Sequence, residues 1–190
     1  GAIHYLTSEQ IENNKEYLFS ISDKLKNGNI ISLIIGGPTQ YYDYSDRNIQ
    51  EIFSKVNFLV KENNLSLVVI PSMRTPKETI EHAKIYFGND HLVLDAVDKK
   101  AYLSALSISK YIVVTCDSSS MISEAALTGK PIYIAAIPPK KNDKRFKNFR
   151  KLFHEMKIVR ELGEKLENWS YEKLDETNRI ANIIRDKIQL

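Results

Sequence analysis

Short apolar runs alternate along this chain with segments whose apolar residues recur at helical spacing. The first run, Ile30–Ile35, is rich in β-branched residues and apolar on both faces, which is typical of a strand buried inside a parallel sheet. Because a parallel strand needs a crossover before the next one, this alternation predicts a parallel sheet with helices on its faces. The expected strands are Ile30–Ile35, Leu65–Ile70, Leu92–Leu94, Tyr111–Thr115 and Pro131–Ile137.

The fold class predicted from this alternation is α/β, a Rossmann-like doubly wound parallel sheet of about five strands in the order 3-2-1-4-5. Ahead of the sheet, Thr7 and Gln10 have the spacing of a capping box, which predicts a lead-in helix over residues 7–27. We therefore expect a lead-in helix and linker over residues 1–29 and one Rossmann-like domain over residues 30–190. The remaining helices are expected at 49–60, Pro76–Phe87, 99–108, Ser120–Leu127, Arg145–Met156 and Leu174–Ile188.

The composition is that of a globular protein, since 43% of the 190 residues are hydrophobic. The apolar runs are far shorter than the roughly 20 residues of a membrane-spanning helix. A single cysteine, Cys116, excludes an intramolecular disulfide and predicts a reducing compartment, the cytoplasm. Cysteine and histidine lack the spacing of a zinc site, so we expect no metal. Abundant Ile, Lys and Asn favour a bacterial source, and the start at Gly1-Ala2 without methionine predicts a piece of a longer protein.

Positive charge is concentrated in one segment. The net charge is +3, and Pro138–Lys151 alone carries seven basic residues and one acidic residue. One basic segment on an otherwise mildly acidic chain argues against a nucleic-acid-binding protein. Two interpretations stay open for it: a solvated helix face, or a surface that attracts a diphosphate or makes peripheral contact with an anionic membrane.

The predicted strand order fixes where a ligand would bind. In an open α/β sheet the crevice lies at the carboxyl ends of the two strands where the order reverses, here the first and the fourth. The loops expected to meet there are Gly36–Thr39, which is rich in glycine, and Thr115–Ser120, which carries three serines and opens a helix. The candidate phosphate-binding residues in these loops are Gly36, Gly37, Thr39, Ser118, Ser119 and Ser120.

The serine loop has the features of an anion site. A helix N-terminus carries unpaired backbone N–H groups and a partial positive charge, and serine hydroxyls add further donors. Glu124 lies one turn after Ser120 on the same helix face, where a carboxylate repels phosphate but accepts hydrogen bonds from a ribose diol. The pattern predicts phosphate at Ser118–Ser120 and ribose at Glu124. The alternative is simple helix capping, since Asp and Ser are favoured at N-caps.

The neighbouring loops leave several alternatives open. Gly36 and Gly37 either permit a turn or let a ligand approach the backbone, and they match neither GxGxxG nor GxxxxGK[ST], which disfavours NAD and a P-loop ATPase. Arg74 pairs with a phosphate or carboxylate, or is a solvated arginine. Cys116 is interpreted as a small apolar residue rather than a nucleophile. Three tyrosines either stack on a base or sugar or form a partly buried lid: Tyr41, Tyr42 and Tyr44.

Four motifs give the chain a resemblance to a known family: Gly36–Thr39, Ser72–Pro76, Thr115–Ala125 and Thr128–Pro131. Together they resemble the mitochondrial-fission ELM family, a bacterial and plant group of GT-B-like proteins, over residues 30–155. The third and fourth are also similar to the C-terminal half of the GT-B glycosyltransferases that add N-acetylglucosamine to lipid-linked peptidoglycan precursors, and to non-hydrolysing sugar-nucleotide epimerases. Met73 departs from the family pattern, which has an arginine there.

The resemblance implies the C-terminal half of a GT-B architecture, with the N-terminal domain, its acceptor site and its catalytic base absent from this chain. It implies a nucleotide diphosphate along the glycine and serine loops, with Arg74 near the phosphates or sugar and Glu124 on the ribose. The base would contact backbone around Leu94–Val97.

The function implied by the resemblance is the donor-binding domain of a GT-B-type glycosyltransferase-like protein, with a nucleotide diphosphate sugar as its ligand and no cofactor. This part alone is expected to be inactive, and no catalytic residue is assigned. The alternatives are a non-catalytic scaffold of the ELM fission-like family and a sugar-nucleotide epimerase-like domain.

Overall fold

Six parallel strands form one sheet in the order β3-β2-β1-β4-β5-β6, in a computed structural model that describes residues 1–26 and 28–188. The order of the first five strands is the expected one. The strands are β1 Ile30–Ile35, β2 Ser66–Pro71, β3 Leu92–Val93, β4 Tyr111–Thr115, β5 Ile132–Ala135 and β6 Val159–Glu161.

The central strands are buried along their whole length. All residues of β1, β2 and β4 are buried, including the hydroxyl-bearing Ser32 and Thr115. Helices cover the sheet and pack on one another, α3 against α4 and α1 and α2 against α5. This is why the strands are apolar at consecutive positions rather than at alternate ones. The helices are α1 Ser8–Asn13, α2 Tyr17–Ile21, α3 Asp46–Glu62, α4 Lys77–Phe87, α5 Lys99–Ile108, α6 Ser119–Ala125, α7 Lys144–Glu155 and α8 Glu176–Ile188.

The expected count of about five strands is wrong by one, because β6 pairs in parallel with β5 beyond the last expected strand. Three residues are too few to show a periodicity in the sequence. The strand is held from outside as well, since the Arg160 guanidinium lies over the Trp169 ring at 4.3 Å from its centroid. The bounds of the other strands, and of the helices after the first strand, differ from the expected ones by at most three residues.

The expected lead-in helix over residues 7–27 is wrong as one continuous helix. The Thr7 capping box is present, but the segment breaks into α1, α2 and a 3-10 turn at Asp23–Leu25. Ser104 of α5 explains the break, because its buried hydroxyl donates to the Lys15 carbonyl at 2.9 Å and accepts from the Leu18 N–H at 3.1 Å. Residue 27 lies outside the described residues.

The crevice predicted from the strand order lies between β1 and β4. Ile34 of β1 stands opposite Val114 of β4, so both strands end at the same level of the sheet. On the other side of β1, Ile35 is opposite Pro71 of β2. The loops after these three strands therefore converge at one edge. Within the described residues, no helix is both long and apolar enough to cross a membrane.

The Ser104→Ala variant tests how the lead-in segment is held. Removal of the hydroxyl leaves the buried Leu18 N–H without a partner and also deletes the bond to the Lys15 carbonyl. We expect the free energy of unfolding to fall by about 2 kcal/mol. Urea denaturation measures the change. Ser107→Ala on the same helix is the matched control, because its hydroxyl bonds only the exposed Glu12 carboxylate, and its cost should stay under about 0.5 kcal/mol. Equal losses in both variants would contradict this account of the break.

Candidate functional site

The glycine loop and the serine loop meet directly at the crevice. The Gly36 N–H donates to the Thr115 hydroxyl at 2.8 Å, and the Gly37 N–H donates to Asp117 Oδ2 at 3.2 Å. Both glycines are buried. The convergence expected from the strand order is therefore present, and it is made by hydrogen bonds between the ends of two parallel strands.

Asp117 is the centre of this contact, and its side chain has no exposed surface. Besides the Gly37 N–H, its carboxylate accepts the Tyr44 hydroxyl at 2.6 Å on Oδ1 and an Arg74 N–H at 2.8 Å on Oδ2. Burial, followed by the Asp117 charge and hydrogen bond, raises the pKa of Tyr44 far above its ordinary value, so its hydroxyl keeps its proton. The sequence alone predicts only helix capping for an aspartate at this position. Its signal was a carboxylate directly after a fully buried strand.

The two glycines are required by protein rather than by a ligand at their Cβ positions. A Cβ at Gly36 would lie 2.2 Å from Asp117 Oδ2, and a Cβ at Gly37 would lie 2.0 Å from the Arg74 carbonyl oxygen. Both distances are far inside van der Waals contact. The space left by the missing side chains is thus filled by the carboxylate and by backbone, which favours close approach within the chain as the reason for this motif.

Arg74 reaches across the crevice from the loop after β2. Its Nη1 donates to the Gly37 carbonyl at 2.9 Å and its Nη2 to Asp117, while 42% of the side chain stays exposed. Thr75 fixes the same loop, since its hydroxyl lies 2.8 Å from the Ile35 carbonyl oxygen. The arginine predicted for the site is therefore anchored on one side and open to solvent on the other.

An open pocket of about 390 Å³ lies beside this arginine. Ser118 is only partly available there, because its hydroxyl caps α6 by accepting the Met121 N–H at 3.4 Å. Ser119 and Ser120 are more exposed, and their hydroxyls bond to no other described residue. The lining is formed by Ser72, Met73, Arg74, Asp117, Ser118, Ser119, Ser120 and Met121.

Four predicted site residues do not line this pocket: the buried Gly36 and Gly37, whose contacts are given above, and Thr39 and Glu124. The Glu124 carboxylate lies further along α6 and accepts the Tyr102 hydroxyl at 2.6 Å. Burial, and after it the Glu124 charge, raises the pKa of Tyr102 well above its ordinary value. Thr39 closes a turn, since its hydroxyl accepts the N–H groups of Tyr41 and Tyr42. Ribose binding at Glu124 and phosphate binding at Thr39 stay predictions.

A second polar cluster joins the tyrosine segment to the basic segment. Arg150 of α7 donates to the Tyr42 hydroxyl at 2.7 Å, to Asp143 at 3.1 Å and to the Cys116 carbonyl at 3.2 Å. Tyr42 is buried, which fits a packed lid rather than a base-stacking ring. Burial raises the pKa of Cys116 to about 11, as fits an unreactive thiol.

The basic helix α7 turns its phenylalanines inward and its lysines outward. Phe153 has no exposed surface, and Phe146 packs against Tyr41 with ring centroids 5.3 Å apart. Peripheral contact with an anionic membrane stays a prediction for the outer face. The exposed basic side chains of that face are Lys144, Arg145, Lys147 and Lys151.

Lys130 of the Thr128–Pro131 motif has a structural role in the described chain. Its Nζ donates to the carbonyls of Leu106 and Ser107 at the end of α5, where cations are favoured by the helix dipole. Burial lowers the pKa of this lysine to about 8. The lysine therefore ties the chain before β5 to the end of α5. Residues 1–26 and 28–188 contain no group of three or more His, Cys, Asp or Glu placed to hold a metal ion.

The whole described chain, and not only its motifs, matches a known family. The family model described as Mitochondrial fission ELM1 matches residues 1–188. The chain belongs to this family.

Curated relatives extend the match to bacteria and plants. Uncharacterized protein RP120 of Rickettsia prowazekii (strain Madrid E) is 32% identical over 170 residues, which are 84% of this chain and 47% of that protein. Mitochondrial fission protein ELM1 of Arabidopsis thaliana is 32% identical over 115 residues, 59% of this chain and 25% of that protein. This ELM1-family chain thus spans half or less of the length of these relatives.

Solved structures with a similar fold include proteins described as sugar-nucleotide epimerases. A protein assigned as a UDP-N-acetylglucosamine 2-epimerase from Listeria monocytogenes superposes with a TM-score of 0.58 at 15% identity, over 88% of this chain and 48% of that one. S. aureus MnaA, solved with UDP, superposes with a TM-score of 0.51 at 17% identity, over 89% of this chain and 49% of that one. The UDP-GlcNAc 2-epimerase from Neisseria meningitidis, bound to UDP-GlcNAc, superposes with a TM-score of 0.50 at 14% identity, over 96% of this chain and 42% of that one. These likenesses show a GT-B-like fold.

The Gly37→Ala variant tests the close approach of the loops. The added methyl group would clash with the Arg74 backbone, and we expect the free energy of unfolding to fall by roughly 3 kcal/mol. Thermal and urea unfolding measure the loss. Gly163→Ala is the matched control, because a Cβ there meets nothing within 4 Å. Wild-type stability of Gly37→Ala would show that the two loops are further apart than described.

Proposed function

We propose that this ELM1-family chain is the donor-binding domain of a GT-B-type glycosyltransferase-like protein and that it binds a nucleotide diphosphate sugar. The observation that carries the proposal is the half-exposed Arg74 guanidinium beside the hydroxyls of Ser119 and Ser120, in an open pocket at the carboxyl ends of the central strands. This is the place where open α/β sheets bind ligands. The pocket offers several hydrogen-bond donors and a cation to one anionic group.

In this proposal the diphosphate lies over the serine loop. The Ser119 and Ser120 hydroxyls and the Arg74 guanidinium donate to its oxygens and stabilise the charge that develops on the leaving diphosphate. The reaction would break the bond between the anomeric carbon and the diphosphate oxygen, while an acceptor oxygen bonds to that carbon and loses its proton to a base. The acceptor and the base would belong to a second domain, so this chain alone would bind ligand without turnover.

Glu124 is proposed to accept the ribose hydroxyls. Its Oε2 already accepts the Tyr102 hydroxyl, which holds the carboxylate in place, and in this proposal its Oε1 accepts from the ribose. The base would then contact the backbone around Leu94–Val97, at the end of β3. The bound UDP and UDP-GlcNAc of two solved structures with this fold support a uridine nucleotide as the first candidate.

An epimerase-like activity is supported by the kinds of protein that share the fold. Proton transfer at a sugar carbon requires an acid or base that can reach the substrate. The described lining of the pocket offers one carboxylate, Asp117, which is fully buried and already accepts three donors. The pocket therefore favours binding over proton transfer by its own residues.

A non-catalytic scaffold is favoured by a different observation. Arg74 is paired with Asp117, and Glu124 is paired with Tyr102, within the chain itself. Buried polar groups that satisfy one another keep a crevice intact without a ligand. A descendant that has lost its chemistry could keep these residues for stability alone.

Two variants test the proposed binding mode by isothermal titration calorimetry of this chain with UDP, ADP, GDP and inorganic pyrophosphate. Ser119→Ala removes a phosphate donor and should weaken UDP and pyrophosphate alike, by about fivefold. Glu124→Gln should weaken UDP by a similar factor but leave pyrophosphate, which has no ribose, unchanged.

Ser107→Ala serves as the control, because its hydroxyl lies on α5 outside the pocket lining. Failure of every nucleotide to bind this chain would refute the proposed function. Retention of cellular function by both Ser119→Ala and Glu124→Ala would favour the scaffold.

A further inference from the structure

The candidate phosphate pocket carries a cation and an anion in contact. Arg74 is the basic member of its described lining and Asp117 the acidic one, and their side chains meet at 2.8 Å. The other lining residues are serines and methionines without charge. The charge of the pocket is therefore balanced before any ligand arrives, whereas a diphosphate brings more than one negative charge. A simple cationic phosphate site would not include a buried carboxylate.

The Asp117 carboxylate is fixed by three hydrogen-bond donors. Asp117 receives donors from the loops after β1 and β2, which are the Gly37 N–H, the Tyr44 hydroxyl and the Arg74 guanidinium. A buried carboxylate is stable only with such a set of donors. Asp117 itself follows β4, so one side chain fixes the relative positions of three loops.

Arg74 keeps capacity for a second anion. A guanidinium has five N–H donors, and two of them are used, one on the Gly37 carbonyl and one on Asp117. Three remain, and 42% of the side chain is exposed on the side of the pocket. A phosphate oxygen can therefore bind the outer edge of the guanidinium while Asp117 holds the inner edge.

We propose that Asp117 is a positioning residue that holds Arg74 across the crevice and limits the affinity of the site by competing with the ligand for that guanidinium. This inference rests on the proposed nucleotide site. The carboxylate orients the arginine for a diphosphate and at the same time repels the same diphosphate. The site therefore binds and releases a nucleotide diphosphate instead of retaining it.

Asp117→Asn separates these two effects. Asparagine keeps the shape and one acceptor for the Tyr44 hydroxyl, but it has no charge, and its amide N–H groups face other donors. Stability should therefore fall. The Arg74 guanidinium loses its competing anion, so the affinity for UDP should rise by about tenfold. A residue with a merely structural role would lower stability and affinity together.

The experiment measures the melting temperature and, by calorimetry, the Kd for UDP of the wild type, Asp117→Asn and Asp143→Asn. Asp143 is the matched control, because it is held by Arg150 and Tyr42 in a similar network and lies outside the lining of this pocket. Asp143→Asn should lose stability without a gain in affinity. In the double variant Arg74→Met with Asp117→Asn, the gain should disappear.

A second variant keeps the proposal testable if Asp117→Asn does not fold. Tyr44→Phe removes one donor from the carboxylate but keeps its charge, so Asp117 depends more on Arg74, and the affinity for UDP should fall by about twofold to threefold. The two variants thus shift affinity in opposite directions. A fall in affinity for Asp117→Asn, or a rise for Tyr44→Phe, overturns the proposal.

A ligand-free measurement distinguishes this proposal from the proposed function. Phenylglyoxal modifies accessible arginines, and peptide mass mapping identifies the labelled residue. Arg74 should be labelled faster in Asp117→Asn than in the wild type, whereas unchanged labelling overturns the positioning role. Faster labelling without UDP binding in any variant would reject the nucleotide site and leave the positioning role supported.

Discussion

The buried Asp117 carboxylate and its three donors are the interaction on which the crevice depends. Parallel strands end at the same edge of a sheet, but nothing in the sheet itself fixes how the loops beyond them lie. Here one anion without exposed surface draws in an N–H from the glycine loop, a hydroxyl from the tyrosine segment and the guanidinium of Arg74. Gly36 follows from this contact, because a Cβ there would occupy the position of the carboxylate oxygens, and Gly37 follows from the approach of the Arg74 backbone. The glycine motif is thus explained first by packing around the Asp117 carboxylate.

The sequence predicts the fold better than it predicts the site. Buried parallel strands are apolar at consecutive positions, so β1 and β4 can be recognised without a structure, and their adjacency follows from the rules of α/β topology. The break in the lead-in segment cannot be recognised in this way, because it depends on Ser104, which lies far along the chain. The three residues of β6 are too short for any pattern. Local periodicity is readable, whereas contacts between distant residues are not.

The same limit explains why the sequence predicts ligand-binding roles for Glu124 and Thr39 and none for Asp117. A carboxylate near an expected phosphate site looks unfavourable from its charge alone, and only the positions of Tyr44 and Arg74 show what stabilises it. Conversely, Glu124 has the right spacing on α6, but its nearest partner is Tyr102 of a neighbouring helix. Spacing along one helix states which residues share a face. The spacing does not show which residues of other elements contact that face.

Several residues of the family motifs hold different segments of the chain together. Thr75 and Thr115 form hydrogen bonds with Gly36 of the glycine loop. Asp117 joins three loops, and Lys130 ties the segment before β5 to the end of α5. Similarity in these motifs is therefore stronger evidence for a shared crevice geometry than for a shared reaction. The N–H groups of Arg74 that are not used within the chain are the ones that a ligand can bind. A network that is complete without ligand spares the ligand the entropy of ordering the loops, but it also makes any anion compete with Asp117 for the guanidinium. In the proposed site, preorganisation and weak binding then have the same structural cause.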